Sequence, residues 1–210
     1  MAVITEPRPN IGSSGLIQII DGIEFEGFGS GGFDEDDLLI IGDEVDNVIE
    51  GGIGNDQIEG NEGNDMITGG DGNDTIGGGD GDDIIDGDGG TSGEVDVRNL
   101  TDMLFGDAGN DIILSGAGHD RMTGGSGNDT FGFYGAGHFQ VNDFIIGEDQ
   151  LFFDSETLGI NSVEQLVSAI TNIEQDGDGT RVEFLDDIAS ITLVGVDVND
   201  ITSDMIIFTL

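Results

Sequence analysis

A nine-residue unit that recurs over residues 51–132 constrains this chain more than any other feature. Four units read GGIGNDQIE, GNEGNDMIT, GGDGNDTIG and GGDGDDIID, and three more, GDAGNDIIL, SGAGHDRMT and GGSGNDTFG, follow an interruption. A weaker copy, GDEVDNVIE, begins at Gly42. Units this short cannot bury a core singly, so neighbours must stack to stabilise one another. The chain is therefore predicted to fold as a mainly β stack of tight turns and short strands.

The consensus G-G-x-G-x-D-x-U-x, where U is apolar, assigns a task to each slot. Glycines supply positive φ without steric cost, so the first six residues are predicted to form a turn whose carbonyl oxygens point to one side. The fifth slot holds asparagine in most units, which tolerates the left-handed region. We assign a conformational role to these residues: Asn55, Asn64, Asn73, Asn110 and Asn128.

The sixth and eighth slots carry the chemistry and the core. The sixth slot places one carboxylate at the end of each turn, at Asp56, Asp65, Asp74, Asp83, Asp102, Asp111, Asp120 and Asp129. The eighth slot places one inward apolar side chain on each strand, at Ile49, Ile58, Ile67, Ile76, Ile85, Leu104, Ile113, Met122 and Phe131. A single ladder of apolar residues makes a thin core.

Charge identifies the expected ligand. The chain has 45 acidic and four basic residues, a formal net charge of −41. Rows of like-charged turns cannot stack without counter-ions, and calcium suits them because it takes six to eight oxygens at variable geometry, whereas magnesium demands a stricter octahedron. Calcium binding and folding are predicted to be one event.

The same composition excludes other classes of partner and site. A polyanion of this strength is a poor partner for nucleic acid or acidic membranes. With no cysteine, disulfides and thiolate metal sites are excluded. The N-terminal residues do not resemble a cleavable signal peptide, and no apolar run approaches the length of a transmembrane helix. Export would need another signal.

These units resemble the nonapeptide repeats of RTX proteins, the haemolysin-type calcium-binding repeats. The resemblance covers residues 42–132. It implies a parallel β-roll in which two nonapeptides make one coil, so that turns 18 residues apart lie side by side with calcium between them.

The resemblance also implies ligand sets. In the family, one turn provides the carbonyls of its second and fourth residues and its Asp, and the turn one coil later provides its first and third carbonyls and its Asp. The first set is Gly52, Gly54 and Asp56 with Gly69, Asp71 and Asp74. The second is Asn61, Gly63 and Asp65 with Gly78, Asp80 and Asp83. The third is Asp107, Gly109 and Asp111 with Gly124, Ser126 and Asp129.

Asp102 with Asp120 is a fourth candidate, weakened because Arg98 and Leu100 replace glycines in that turn. About four to six calcium ions are expected in all. Asn47 departs from the pattern in the first copy. The larger departure is residues 87–96, one residue longer than a unit, where Ser92 stands in the Asp slot. A tolerated bulge or loop is the favoured interpretation, and a partner site is the alternative.

Three domains are predicted: an N-terminal hairpin cap (1–41), the calcium-binding β-roll (42–140) and a small C-terminal β-rich domain with one helix (141–210). In the cap, residues 16–26 read as a hairpin turning at Asp21 and Gly22, which suits a type I′ turn. The acidic stretch 32–37 reads as a linker, or alternatively as a further ion site.

After the repeats, residues 141–154 resemble the segment that follows them in many RTX proteins, with Asp143 and Asp149 as candidate ligands of a terminal ion. Ser162 and Gln165 form a capping box for a helix of about three turns. Its predicted core face is Val163, Leu166, Val167, Ile170 and Ile173.

Residues 176–179 resemble the start of an EF-hand loop, but Leu185 stands where the bidentate Glu belongs, so a hairpin turn is favoured. Strands are predicted over 181–185, 190–194 and 205–209.

The function predicted from these features is calcium binding by a secreted protein. Residues 191–208 resemble the C-terminal ends of secreted RTX proteins, which implies the type I secretion machinery as a partner, export of an unfolded chain and folding on calcium outside the cell. No enzymatic activity is expected, because H-E-x-x-H and G-x-S-x-G motifs are missing and the histidines, His119 and His138, lie in turns. The alternatives are a module that binds an extracellular polysaccharide or protein, and the C-terminal part of a larger RTX enzyme. Membrane insertion is not expected.

Overall fold

The structure is a computed structural model. It describes residues 18–21, 37–88, 101–177, 179–184 and 188–210, with backbone alone for 18–21 and for residue 176.

Two β-sheets make up most of the described chain. The larger one contains ten strands in the spatial order β1 (Gln18–Asp21), β2 (Leu38–Ile41), β4 (Gln57–Glu62), β6 (Thr75–Asp80), β8 (Met103–Ala108), β10 (Arg121–Ser126), β12 (His138–Val141), β16 (Ala189–Val194), β15 (Gly179–Phe184) and β14 (Ile170–Asp176). The smaller one contains seven, in the order β17 (Ile206–Ile207), β13 (Gln150–Phe153), β11 (Thr130–Phe133), β9 (Ile112–Ser115), β7 (Ile84–Asp86), β5 (Met66–Asp71) and β3 (Val48–Ile53). Two short helices, α1 (Ser155–Leu158) and α2 (Val163–Ala169), follow β13.

Successive repeat units alternate between the two sheets. Each unit makes one turn and one strand, so partners within a sheet come from units two apart: Val48 of β3 lies beside Met66 of β5, and Gln57 of β4 lies beside Thr75 of β6. All these repeat strands run parallel. The fold is therefore a parallel β-roll, and the predicted spacing of 18 residues per coil is confirmed up to the interruption.

The core is the predicted ladder of eighth-slot residues. Because side chains alternate between the faces of a strand, the eighth slot points between the sheets while its neighbours point outward. Every residue of the ladder, from Ile49 to Phe131, is at most 2% exposed. Towards the C terminus aromatic rings take over, and the ring of Phe133 lies 5.0 Å from that of Phe139 and 5.5 Å from that of Phe153, centroid to centroid. These rings close the end of the roll.

The interruption lengthens one coil of the roll. β6 pairs with β8, where Thr75 lies beside Met103, and β7 pairs with β9, where Ile84 lies beside Ile112, a spacing of 28 residues. The interruption thus adds ten residues to one coil, since 28 − 18 = 10, and the intact turns 78–83 and 106–111 on either side of it stack directly. The interpretation of the interruption as a tolerated bulge or loop remains a prediction. Ser92, Arg98 and Leu100 lie outside the described residues.

The flanking segments extend the same sheets. β1 pairs antiparallel with β2, with Gln18 beside Ile41, whereas the predicted second arm of the N-terminal hairpin lies outside the described residues. Of the acidic stretch, Asp37 is described; it is buried and accepts a hydrogen bond from the Asn55 N–H at 2.6 Å. At the other end, β12 and β13 continue the two sheets in parallel.

The predicted C-terminal helix is shorter than expected. α2 ends at Ala169, and Ile170 and Ile173 belong to β14, which pairs antiparallel with β15. Of the predicted core face, Leu166 is buried, but Val167 is 59% exposed and Ile173 is 46% exposed. The β-branched run that opens β14 favours a strand, and pairing with β15 overrides the helical periodicity. β14 and β15 form the predicted hairpin around 176–179, and the predicted final strand shrinks to β17.

One glycine test follows from the packing of successive turns. Gly72 has a φ of +152°, and a Cβ there would collide with the Gly54 carbonyl oxygen one coil earlier. We expect Gly72→Ala to lower the free energy of unfolding in calcium by about 2 kcal/mol or more, because it adds backbone strain to a steric clash. Gly177→Ala is the matched control, since a Cβ at Gly177 meets nothing within 4 Å. Urea titrations showing equal losses for both variants would contradict the close stacking of turns.

Candidate metal centre

The sixth-slot carboxylates form two ladders, one along each edge of the roll. The first Asp ladder contains Asp56, Asp74, Asp102 and Asp120, and the second contains Asp65, Asp83, Asp111 and Asp129. In each ladder the Oδ1 atom accepts a hydrogen bond from the backbone N–H of the residue one coil earlier. The Asp56 N–H thus donates to Asp74 at 2.8 Å, and the Asp65 N–H donates to Asp83 at 2.7 Å. This contact fixes the orientation of every carboxylate.

The second oxygen of most of these carboxylates has no hydrogen-bond donor. Oδ2 is buried and receives no hydrogen bond in five of the eight residues: Asp56, Asp65, Asp74, Asp83 and Asp111. A buried carboxylate oxygen without a partner is costly, and native proteins rarely leave one. Because the five oxygens repeat at equivalent places between turns, they indicate a repeated cation rather than isolated defects. The donor set therefore fits the metal that the sequence predicts.

Backbone carbonyls converge on the same places. Between the turns 51–56 and 69–74, the Asp71 carbonyl faces back and accepts from the Gly54 N–H at 2.9 Å. The Gly69 carbonyl also faces back, 2.5 Å from where a Cβ on Gly51 would stand, and Asp56 Oδ2 lies against that same point. From the other side, the Gly52 and Gly54 carbonyls face the later turn. A Cβ on Gly70 would clash with the Gly52 carbonyl oxygen, and a Cβ on Gly72 would clash with that of Gly54.

Burial and neighbouring carboxylates disfavour the charged form of these Asp residues and raise their pKa values. Burial, with a smaller contribution from neighbouring carboxylates, raises the pKa of Asp74 and of Asp111 to about 7. Burial raises the pKa of Asp102 to about 8, with Asp120 and Asp74 adding to the effect. A divalent ion between two such carboxylates would offset both the burial and the mutual repulsion that raise their pKa values. The carboxylates would bind the ion, and its charge is opposite to theirs.

The structure brings together the members of each predicted ligand set. In the first set Gly52 lies beside Gly70 and Ile53 beside Asp71; in the second Asn61 lies beside Gly79; in the third Asp107 lies beside Gly125. The Asp111 N–H donates to Asp129 at 3.0 Å, and the Asp102 N–H donates to Asp120 at 2.9 Å. All four sets remain predictions as ion sites.

One more candidate ligand set spans the interruption, and the sequence did not predict it. The turns 78–83 and 106–111 are both intact and stack directly, with the Asp83 N–H donating to Asp111 at 2.8 Å. The Gly81 N–H donates to the Ala108 carbonyl at 2.7 Å, which repeats the Gly54–Asp71 contact. The residues in the same slots as those of the predicted ligand sets are Gly79, Gly81, Asp83, Gly106, Ala108 and Asp111. The sequence carried the signal in two well-formed turns, but not the information that they are neighbours.

The conformational role assigned to the fifth slot is wrong. The non-glycine residues with positive φ in the described chain are Asn61 and Asp107, which occupy the second slot. Fifth-slot side chains instead hydrogen-bond across coils, since Asn55 Oδ1 accepts from the N–H and the Nδ2 of Asn73 at 3.1 and 2.8 Å. An exposed ladder of amides and carboxylates thus runs beside each Asp ladder.

The segment after the repeats closes the second Asp ladder. Asp149 is buried and accepts from the Asp129 N–H at 2.9 Å and from the Ile145 N–H at 2.7 Å. Asp143 accepts from the N–H groups of Gly124 and Gly125 at 2.9 and 2.8 Å. These two carboxylates accept backbone hydrogen bonds from the last coil, where the next turn would otherwise lie. Their role as terminal ion ligands remains a prediction. The rings of His119 and His138 stack, with centroids 4.9 Å apart.

The geometry defines a class: a parallel β-roll whose turns carry two ladders of Asp carboxylates. Residues 41–76, 59–92 and 99–131 match the family model for the RTX calcium-binding nonapeptide repeat (4 copies). The chain therefore carries RTX calcium-binding nonapeptide repeats. A search of curated protein sequences finds no match, and no helix among the described residues is long and apolar enough to cross a membrane.

Two solved structures are similar to this chain. The extracellular lipase LipA from Serratia marcescens is 20% identical with a TM-score of 0.34, and the match covers 80% of this chain and 39% of the lipase. The AlgE6R3 subunit of the mannuronan C5-epimerase from Azotobacter vinelandii is 24% identical with a TM-score of 0.44, and the match covers 65% of this chain and 78% of that subunit.

Proposed function

We propose that this chain is a non-enzymatic calcium-binding module that folds on binding several calcium ions between its stacked turns. The observation that carries the proposal is the set of five buried Asp Oδ2 atoms without a hydrogen-bond donor. Each faces the space between consecutive turns of an Asp ladder, here called a gap. In such a gap this chain's carbonyl and carboxylate oxygens would bind calcium, and the charge of the ion would compensate that of the carboxylates.

The ladders allow the ions to be counted. The first Asp ladder has three gaps between consecutive Asp residues, and so does the second. About six calcium ions are therefore expected, at the upper end of the range that the sequence suggests. Six ions would contribute about +12, so the folded protein stays strongly anionic against a formal charge of −41.

We further propose that the protein is secreted. The support is the resemblance of residues 191–208 to RTX secretion ends, together with the charge. In a calcium-poor cytosol the repelling carboxylates would keep the chain unfolded, which suits passage through a type I channel. Outside the cell calcium would fold it.

Adjacent residues provide a sharp test of the calcium sites. Asp83 faces two gaps, one shared with Asp65 and one with Asp111, whereas Asp82 is an exposed fifth-slot residue bonded to Asn110. We expect Asp83→Asn to lose about two bound calcium ions, because the amide places N–H donors where ligand oxygens stood. Asp82→Asn should keep all ions, since asparagine is common in that slot. Native mass spectrometry in calcium counts the bound ions, and equal counts for both variants would contradict the proposal.

A further inference from the structure

The interruption brings three carboxylates together. Asp88 follows β7, Asp102 precedes β8, and Asp120 ends the turn one coil later. One carboxylate oxygen of each lies within 4.8 Å of one from both others, and no other group of three potential ligands lies so close in the part of the chain that is described. The gaps elsewhere in the ladders are lined by two Asp carboxylates, so this place differs in charge from the rest.

Asp88 is held in position by the later turn. Its Oδ2 atom accepts from the N–H groups of Gly116 and Ala117 at 2.6 and 3.1 Å and from the Ser115 hydroxyl at 3.3 Å. Its Oδ1 atom receives no donor from the described residues. These contacts therefore fix the orientation of the Asp88 carboxylate beside Asp102 and Asp120.

The second independent observation is the state of Asp102. This residue is 1% exposed, and its Oδ1 atom accepts from the Asp74 N–H at 2.9 Å. Its Oδ2 atom receives no donor within the described chain and lies 2.7 Å from where a Cβ on Gly87 would stand. Asp120 is fully buried and its Oδ2 accepts from the Ser115 hydroxyl at 2.5 Å. Asp102 is therefore a buried carboxylate with one oxygen that no described residue satisfies, and it lies close to two further carboxylates, which favours a bound cation here.

We propose that Asp88, Asp102 and Asp120 form a three-carboxylate cation site, which holds calcium more tightly than the two-Asp gaps and joins the repeats before the interruption to those after it. The proposal rests on the proposed calcium function. Calcium affinity rises with the number of charged ligands in a preformed site, and Asp88 adds one that the repeat pattern lacks. The site that the sequence marks as weakened is thus the tightest of the roll.

Tyr134 makes this site observable. It is the only tyrosine, and the chain has no tryptophan. Its hydroxyl donates to Asp86 at 2.7 Å, two residues before Asp88, and its ring packs on Gly116, one of the residues that orient Asp88. A terbium ion bound here would lie close to the only residue that can sensitise its luminescence efficiently. Emission excited through Tyr134 therefore reports on this site ahead of the others.

The experiment is a terbium titration of the full chain with excitation of Tyr134. We expect Asp88→Asn to raise the midpoint of the sensitised emission about tenfold or more, because it removes one charge while keeping an oxygen for the Gly116 and Ala117 amides. Asp82→Asn, an exposed carboxylate on the opposite edge, should leave the midpoint within about twofold. Equal midpoints in the wild type and Asp88→Asn would overturn the proposal.

A wild-type measurement keeps the test independent of how the variant folds. At less than one equivalent of terbium, sensitised emission should rise at once if this site fills first. Emission that begins only after further equivalents have bound would overturn the proposal, as would no sensitised emission at all. Circular dichroism in calcium distinguishes the two proposals, because a roll that folds on calcium keeps the proposed function even where the three-carboxylate site fails.

Discussion

Removing calcium is expected to abolish the β-sheet signal of the roll in far-ultraviolet circular dichroism. Without ions, the four carboxylates within each Asp ladder would repel one another across buried gaps, and the eighth-slot ladder alone is a thin core to oppose that repulsion. Each eighth-slot side chain contributes about 1.5–3 kcal/mol by burial, and the cost of ordering the glycine-rich turns cancels most of it. The apo chain should therefore be unfolded at neutral pH.

A calcium titration into chelated protein measures the effect. By analogy with extracellular calcium modules, the folding midpoint should fall at about 10⁻⁴ to 10⁻³ M. Magnesium at the same concentrations is the control, and it should restore little structure because it resists dehydration and demands octahedral geometry. β-structure that persists unchanged in excess chelator would rule out coupled folding and binding.

Deleting residues 191–210 is expected to abolish export from cells that secrete the full chain through a type I system. The prediction follows from the proposed secretion signal in that segment. The deletion also removes buried side chains of β16, since Ile191 is 6% exposed and Leu193 is 2% exposed. Loss of the secretion signal must therefore be separated from loss of the packing in the C-terminal region.

Phe184→Asp provides that separation. Phe184 is buried against Phe153, with ring centroids 6.5 Å apart, so a charge there should disrupt the same C-terminal packing while leaving 191–210 intact. Measured as the fraction of protein in the medium, Phe184→Asp should be exported and the deletion should stay inside. Export of the truncated chain at the normal rate would place the signal elsewhere.

The repeat in the sequence by itself determined the stack of tight turns, the carboxylate at the end of each turn and the apolar ladder. These features are local, because each slot repeats its task in every unit, and the inward direction of Ile67 follows from its slot. The parallel roll with 18 residues per coil, which aligns Asp56 with Asp74, was implied by the resemblance to RTX repeats and not by the spacing alone.

Only the tertiary structure decided which turns meet across the interruption. Lengthening a loop costs little closure free energy, so the sequence between β7 and β8 does not reveal which turns become neighbours. The stacking of the turns 78–83 and 106–111, and the approach of Asp88 to Asp102 and Asp120, depend on that choice. Pairing with distant segments also decided two further features. Hydrogen bonds between coils outweighed the local preference of asparagine and produced the fifth-slot ladder. Pairing of β14 with β15 outweighed the helical apolar pattern and ended α2 early.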